Sequence, residues 1–409
     1  MRRRTLGRLV ALGALAGLLG VGVVVTGMVP LSAAEGHWGI TEWLFQAAKR
    51  RTLAARALWI DPPPLDDPAL VLRGAGHYEL GCRPCHGTAS DPPPRTLTEM
   101  LPTPPFLPER LDRLGPGELF WVVKNGIKLT GMPGWPSQRR EDEVWAMVAF
   151  LERLPELGPD EYARLARNEE IAAGDEGAEP EAARPLAALT GDPPAPVVET
   201  CRRCHGEDGQ GRGVGAYPRL AGQPEAYLLA QLRAFSAGSR HSGTMETVAA
   251  ALSAETMAEL AAYYAAQAPD PTVHLTAADV PSTAASSEIV PSPHEKPGAT
   301  AGLRTADAAA LARGRAIAQR GIPARKVPSC VDCHGPVERR RNPRYPRLAG
   351  QYPEYLALQL ELFKEGRRGG SDYEHVMRPI AEKLQPEEMR DVALWFASLP
   401  ASAAGSEPP

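Results

Sequence analysis

Every cysteine among the 409 residues falls into one of three matching frames. Cys82-Arg83-Pro84-Cys85-His86, Cys201-Arg202-Arg203-Cys204-His205 and Cys330-Val331-Asp332-Cys333-His334 each set two thiols three positions apart, with a histidine immediately after. On a helical turn, that spacing lets both sulfurs form thioethers to the two vinyl groups of one porphyrin. The histidine then faces the iron as its proximal ligand. The pattern reads as three covalently bound haems c, held by Cys82 and Cys85, Cys201 and Cys204, and Cys330 and Cys333, with His86, His205 and His334 on the irons. Two plainer uses of Cys-x-x-Cys are a redox-active dithiol and half of a zinc site. A dithiol does not need the histidine, and a four-cysteine zinc site would strand the third pair.

What each iron does depends on its sixth ligand. An open position binds or activates small molecules, whereas a methionine sulfur closes it and raises the reduction potential. Met132 lies in the turn Gly131-Met132-Pro133-Gly134-Trp135, with Met100 as the competing candidate. Farther along, Met245 and Met257 are separated as Met377 and Met389 are. Met257 and Met389 fall at core-facing helical positions, where a methionine is usually packing. Met245 and Met377 precede the final helices in glycine-containing loops and are assigned to iron. The expected axial pairs are therefore His86 with Met132, His205 with Met245, and His334 with Met377. No catalytic residue is expected. A proximal histidine also needs its second ring nitrogen held, and the carbonyls of Pro218 and Pro346 are the candidates.

The elements that must position these residues follow from composition and periodicity. The chain is 43% hydrophobic and 23% charged, as globular proteins are, and its 42 prolines and 39 glycines concentrate between the motif regions. A net charge of -4 argues against nucleic acid as a partner. Arg2, Arg3, Arg4 and Arg8 precede an uncharged apolar run from Leu9 to Val29, long enough to span a bilayer. It reads as an uncleaved N-terminal anchor. A signal peptide cut near Ser32-Ala33-Ala34 is the alternative and would leave a soluble periplasmic protein. With the arginines inside, everything after Pro30 is exported, which places the haem domains in the periplasm against a bacterial inner membrane. The segment 35–65 reads as an interfacial helix followed by a proline-rich spacer; the alternative is a helix packed on the first haem domain.

Segment 66–156 reads as the first haem domain, 157–198 as an acidic proline-rich linker, 199–268 as the second domain, 269–302 as a further linker, 303–400 as the third domain and 401–409 as a tail. The second and third are repeats. Tyr217-Pro218-Arg219-Leu220-Ala221-Gly222-Gln223 returns as Tyr345-Pro346-Arg347-Leu348-Ala349-Gly350-Gln351, and Leu228, Leu232 and Phe235 match Leu356, Leu360 and Phe363. No stretch alternates as a strand does, so the fold is expected to be all-α, with the porphyrins supplying apolar surface that such small domains lack.

These repeats, with Cys204-His205-Gly206-Glu207-Asp208-Gly209-Gln210-Gly211 and Met377-Arg378-Pro379-Ile380-Ala381-Glu382-Lys383-Leu384, resemble the di-haem cytochromes c4, two class I cytochrome c domains in tandem. The resemblance covers roughly half the chain. It implies His/Met coordination by His205 with Met245 and by His334 with Met377, and membrane-associated electron delivery towards a terminal oxidase. Val123-Lys124-Asn125-Gly126-Ile127 and the turn at Met132 make the first domain similar to class I modules of membrane-anchored oxidase and dehydrogenase subunits. The expected architecture is three tandem class I cytochrome c domains behind a transmembrane helix. Two departures stand out: Pro193, Pro194 and Pro196 interrupt the second domain's opening helix, and Arg339, Arg340 and Arg341 replace a glycine-rich loop in the third.

The expected function is relay of single electrons to redox partners: a terminal oxidase as acceptor, a quinol-oxidising complex or a dehydrogenase as donor. A second reading is the cytochrome subunit of a periplasmic dehydrogenase acting on an alcohol or sugar acid. A third, an enzyme with one open haem such as a peroxidase or sulfur-compound oxidase, is disfavoured by a methionine in every domain.

Overall fold

The computed structural model describes residues 2–29, 36–168, 197–212, 215–270, 308–335, 342–370 and 373–401. Among these the chain forms helices and turns without a strand, apart from isolated bridges at Arg212 with Tyr217 and Ile322 with Val327. The all-α expectation holds. The linker prolines Pro193, Pro194 and Pro196 and the cluster Arg339 to Arg341 lie outside the described residues.

Helix α1 (Arg2–Val25) has no charged residue after Arg8. Its stretch Thr5–Val25 is long and apolar enough to cross a membrane, and no other part of the described chain covers it. Helix α2 (Gly39–Ala57) divides between the two readings of its sequence. Its C-terminal half buries Leu53 and brings the Ala57 carbonyl against Gly117. Its N-terminal half leaves Trp38, Ile40, Trp43, Leu44 and Phe45 exposed.

The first helical unit contains α3 (Pro68–Gly81), α4 (Pro116–Asn125), α5 (Glu141–Arg153) and α6 (Pro159–Arg167). Asp67 starts α3 by accepting the Ala69 N–H at 2.8 Å, and Pro68 fills a first-turn position that needs no donor. Helices α3 and α5 cross at Gly74, where a Cβ would stand 2.6 Å from that of Phe150 and run into the Ala146 carbonyl. Around this crossing Tyr78, Met147, Val148, Phe150 and Leu154 are fully buried. The linker expected from residue 157 starts later than its acidic composition suggests. Pro159–Arg167 is helix α6, which buries Tyr162, Ala163 and Ala166 against α3 and ends at Asn168 in the left-handed region, with φ 60°. Tyr162 donates to Glu79 at 2.8 Å, so the acidic and basic residues form only the outer face of a packed amphipathic helix.

The second unit comprises α7 (Val197–His205), α8 (Glu225–Ser236), α9 (Met245–Ala250) and α10 (Ala254–Ala266). The third comprises α11 (Ala308–Arg320), α12 (Pro353–Lys364), α13 (Glu374–Ala381) and α14 (Pro386–Ala397). There Gly314 repeats the role of Gly74: a Cβ on it would run into the Asp391 carbonyl and stand 3.0 Å from that of Trp395.

The repeats face one another by reciprocal exchange. Gln351 accepts the Arg219 N–H at 2.9 Å and donates to the Arg219 carbonyl at 2.9 Å, while Gln223 accepts from Arg347 N–H at 3.0 Å and donates to its carbonyl at 2.8 Å. Arg240 donates to Gln231 of its own unit at 2.6 Å and to Tyr355 of the other at 3.2 Å; Arg368 does the same with Gln359 at 2.6 Å and Tyr227 at 3.4 Å. The first unit docks on the second by a different surface. The Tyr217 hydroxyl donates to the Leu72 carbonyl at 3.1 Å, and Arg212 Nη1 to the Leu165 carbonyl at 2.6 Å.

Candidate functional site

Each cysteine pair and its histidine sit on a single helical turn. His86 N–H donates to the Cys82 carbonyl at 2.9 Å and His334 N–H to the Cys330 carbonyl at 3.0 Å, while Cys201, Cys204 and His205 close helix α7. Glycines at the first and third exits, Gly87 and Gly335, each take φ 65°, turning the chain away immediately after the histidine. The three imidazoles are held alike. His86 Nδ1 lies 2.9 Å from the Pro105 carbonyl, His205 Nδ1 3.2 Å from that of Pro218, and His334 Nδ1 3.0 Å from that of Pro346. An Nδ1 proton engaged with a carbonyl leaves the Nε2 lone pair to a metal. Burial pushes His86 and His205 below the ordinary imidazole range, so both rings are neutral at pH 7, as an iron ligand must be. Pro218 and Pro346 are the carbonyls expected from sequence. Pro105 was not legible, because it lies in a proline-rich loop outside the repeated motif.

The donor set fits thioether attachment better than its rivals. The six cysteines form no disulfide. Burial pushes the Cys82 thiol up to about 12 and those of Cys201 and Cys330 up to about 11, so they are neutral thiols, poorly suited to a dithiol exchanger. Among the described residues no group of three His, Cys, Asp or Glu could hold a metal ion on its own. Thus the three turns suit a porphyrin iron bound from one side by histidine.

The methionines sort by burial. Met257 and Met389 are buried in α10 and α14 against the cores of their units, as expected of packing residues. Met132, Met245 and Met377 are half-buried, and Met100 is exposed. Met132 sits in a turn folded back on α4, its carbonyl accepting the Ile127 N–H at 3.2 Å and Trp135 N–H reaching the Lys124 carbonyl at 3.0 Å. Met245 and Met377 differ from the expected loops: Met245 opens helix α9 and Met377 lies within α13. Flanking glycines suggested loops. In fact, Glu246 and Glu374 accept the backbone N–H groups of Ser242 at 2.7 Å and Gly370 at 3.1 Å, which anchors a helical turn at each place.

The family described as cytochrome c oxidase, cbb3-type, subunit III matches residues 69–151, spanning α3 to α5, and the family described as cytochrome c matches residues 196–285. The thiosulfate dehydrogenase electron acceptor of Thiomonas intermedia is 33% identical over 52% of this chain and 83% of that protein. The chain belongs to the cytochrome c family. Cytochrome c4 of Thiocapsa roseopersicina is 30% identical to this cytochrome over 51% of its length and 93% of the relative. The solved cytochrome c4 of Acidithiobacillus ferrooxidans is 30% identical, covering 49% of this chain and 98% of that one, with a TM-score of 0.36. Electron transfer through covalently bound haem c is therefore the chemistry of this cytochrome.

Proposed function

We propose that this cytochrome carries three haems c, each closed by sulfur, and relays single electrons between redox proteins in the periplasm while α1 tethers it to the inner membrane. What carries the reading is the threefold recurrence of one arrangement: two cysteines and a histidine on a turn, with the imidazole Nδ1 on a proline carbonyl within 3.2 Å. When bound, each haem supplies a one-electron iron couple. The chain's part is to hold the proximal rings, to offer Met132, Met245 and Met377 on the far side, and to keep the units in contact. The exposed aromatic half of α2, with Leu58 and Trp59 beyond it, suits the headgroup layer beside a tether.

The acceptor on this reading is a terminal oxidase, in keeping with the match of the first unit to a cbb3-type oxidase subunit. A second reading concerns the donor. Relatives named as thiosulfate dehydrogenase electron acceptors, 33% and 32% identical, favour a periplasmic dehydrogenase oxidising an inorganic sulfur compound over one acting on an alcohol or sugar acid.

Haem assay per chain and redox titration test the proposal together. Three haems per polypeptide are expected, with no high-spin fraction in the resting protein; two haems, or rapid carbon monoxide binding to the reduced native protein, would overturn it. Met377→Ala should lower one of three potentials and leave the others within measurement error. A shift spread over all three would remove Met377 as a ligand.

A further inference from the structure

Glu143, in the first turn of α5, is 3% exposed, and both of its oxygens are bound by the neighbouring unit. Ser242 Oγ donates to Oε1 at 2.7 Å and Gly243 N–H to Oε2 at 2.6 Å. From its own unit, Trp135 Nε1 donates to Oε2 at 3.1 Å, and Arg140 pairs with Oε1 at 3.0 Å. Arg140 in turn forks onto Asp142 at 2.9 and 2.8 Å and donates to the His241 carbonyl at 2.7 Å. The approach is close enough that a Cβ on Gly243 would overlap the Trp135 indole nitrogen.

The segments joined here are the ones that carry two of the three methionines assigned to iron. Trp135 ends the Gly-Met-Pro-Gly-Trp turn of Met132. Ser242, besides donating to Glu143, accepts the Met245 N–H at 3.1 Å and so starts helix α9. A buried carboxylate with four donors resists displacement, since any donor left unpaired away from water carries its full desolvation cost. At the corresponding place in the third unit, among the described residues, Gly370 N–H bonds Glu374 of its own helix.

We propose that Glu143 is a positioning residue that ties the Met132 turn of the first unit to the Met245 helix of the second. The sulfur ligands of two neighbouring haems are thereby held through one side chain, and the reduction potentials of those haems are linked. The proposal rests on Met132 and Met245 being axial ligands. Glu143→Ala should lower two of the three potentials, weaken the sulfur-to-ferric-iron charge-transfer band, and leave the third potential unchanged. Glu143→Gln, which keeps an acceptor for Ser242 or Gly243, should restore part of both shifts.

Ser242→Ala removes two bonds from the other side of the junction, the one to Glu143 and the one from the Met245 N–H, and leaves Glu143 in place, so it covers the case in which Glu143→Ala fails to fold. It should move the same two potentials in the same direction. Potentials unmoved in both variants, or a shift confined to one haem, would overturn the tie. Met132→Ala and Met245→Ala separate this outcome from failure of the ligand reading: if neither removes part of the charge-transfer band, the ligands are wrong. If both do while Glu143→Ala and Ser242→Ala are silent, only the tie is wrong.

Discussion

His77 lies against Trp135 with ring centroids 5.5 Å apart, and its Nδ1 is buried with no hydrogen-bond partner among the described residues. Burial, and then the nearby Arg73 and Arg140 guanidiniums, lower its pKa from 6.5 to about 3, against smaller opposing effects of Asp142 and the Glu143 backbone. The folded protein thus refuses a proton that the unfolded chain accepts below pH 6.5. Stability from this residue is complete above that value and is lost as pH falls towards 3, at about 1.4 kcal/mol per unit. Urea unfolding of the wild type and of His77→Leu at pH 6.5 and pH 5 should therefore differ in slope, the wild type losing about 2 kcal/mol more than the variant. Equal losses would show that the ring is paired or exposed. At this same scale the three Cys-x-x-Cys-His turns were legible, since the motif is a local chemical statement. The His77 environment was not, because its burial comes from residues far along the chain.

At the scale of elements, two helix crossings repeat in the first and third units, and in both a glycine admits the partner backbone. Gly74→Ala places a methyl against the Ala146 carbonyl and the Phe150 side chain, so it should cost about 1–3 kcal/mol despite alanine's better helix propensity. Gly81, in the same helix, has nothing within 4 Å of a built Cβ, and Gly81→Ala serves as the control, expected to be neutral or mildly stabilising. Thermal unfolding of the two variants distinguishes crossing geometry from propensity. Helix type was readable from periodicity throughout the repeats. It failed at Pro159–Arg167 and at Met245 and Met377. There, charge and glycine pointed to linker and loop, while packing of Tyr162 and capping by Glu246 and Glu374 made helices.

For the molecule as a whole, the main finding is that the first unit is docked on the second. A Cβ on Gly76 would overlap the Tyr217 hydroxyl and lie 3.3 Å from Cys204 Sγ, so helix α3 runs beside the Cys204 sulfur of the neighbouring unit. On the proposed reading, in which Cys204 holds a haem, that contact covers the attachment sulfur from outside partners and lies on the electrons' route between the first two units. By contrast, Cys333 of the third unit is exposed. Gly76→Ala should separate the first two units: small-angle scattering would report a larger radius of gyration, and electron exchange between their haems would slow. An unchanged radius with unchanged exchange would mean the interface tolerates a methyl and is not held at Gly76.

By itself the amino-acid order determined the haem chemistry, the helical class, the tandem repeat and the apolar N-terminal run, because each depends on residues a few positions apart or on a period that a short window contains. The reciprocal glutamine and arginine exchange, the Pro105 carbonyl on His86, and the junction at Glu143 were decided only in three dimensions. Each depends on groups brought together across long stretches of chain, and nothing in local spacing says which buried polar side chain will find which partner. Tyr217 shows the limit most simply: it and Tyr345 occupy the same place in the repeat, yet one bonds the first unit and the other packs on Tyr373 at 4.8 Å.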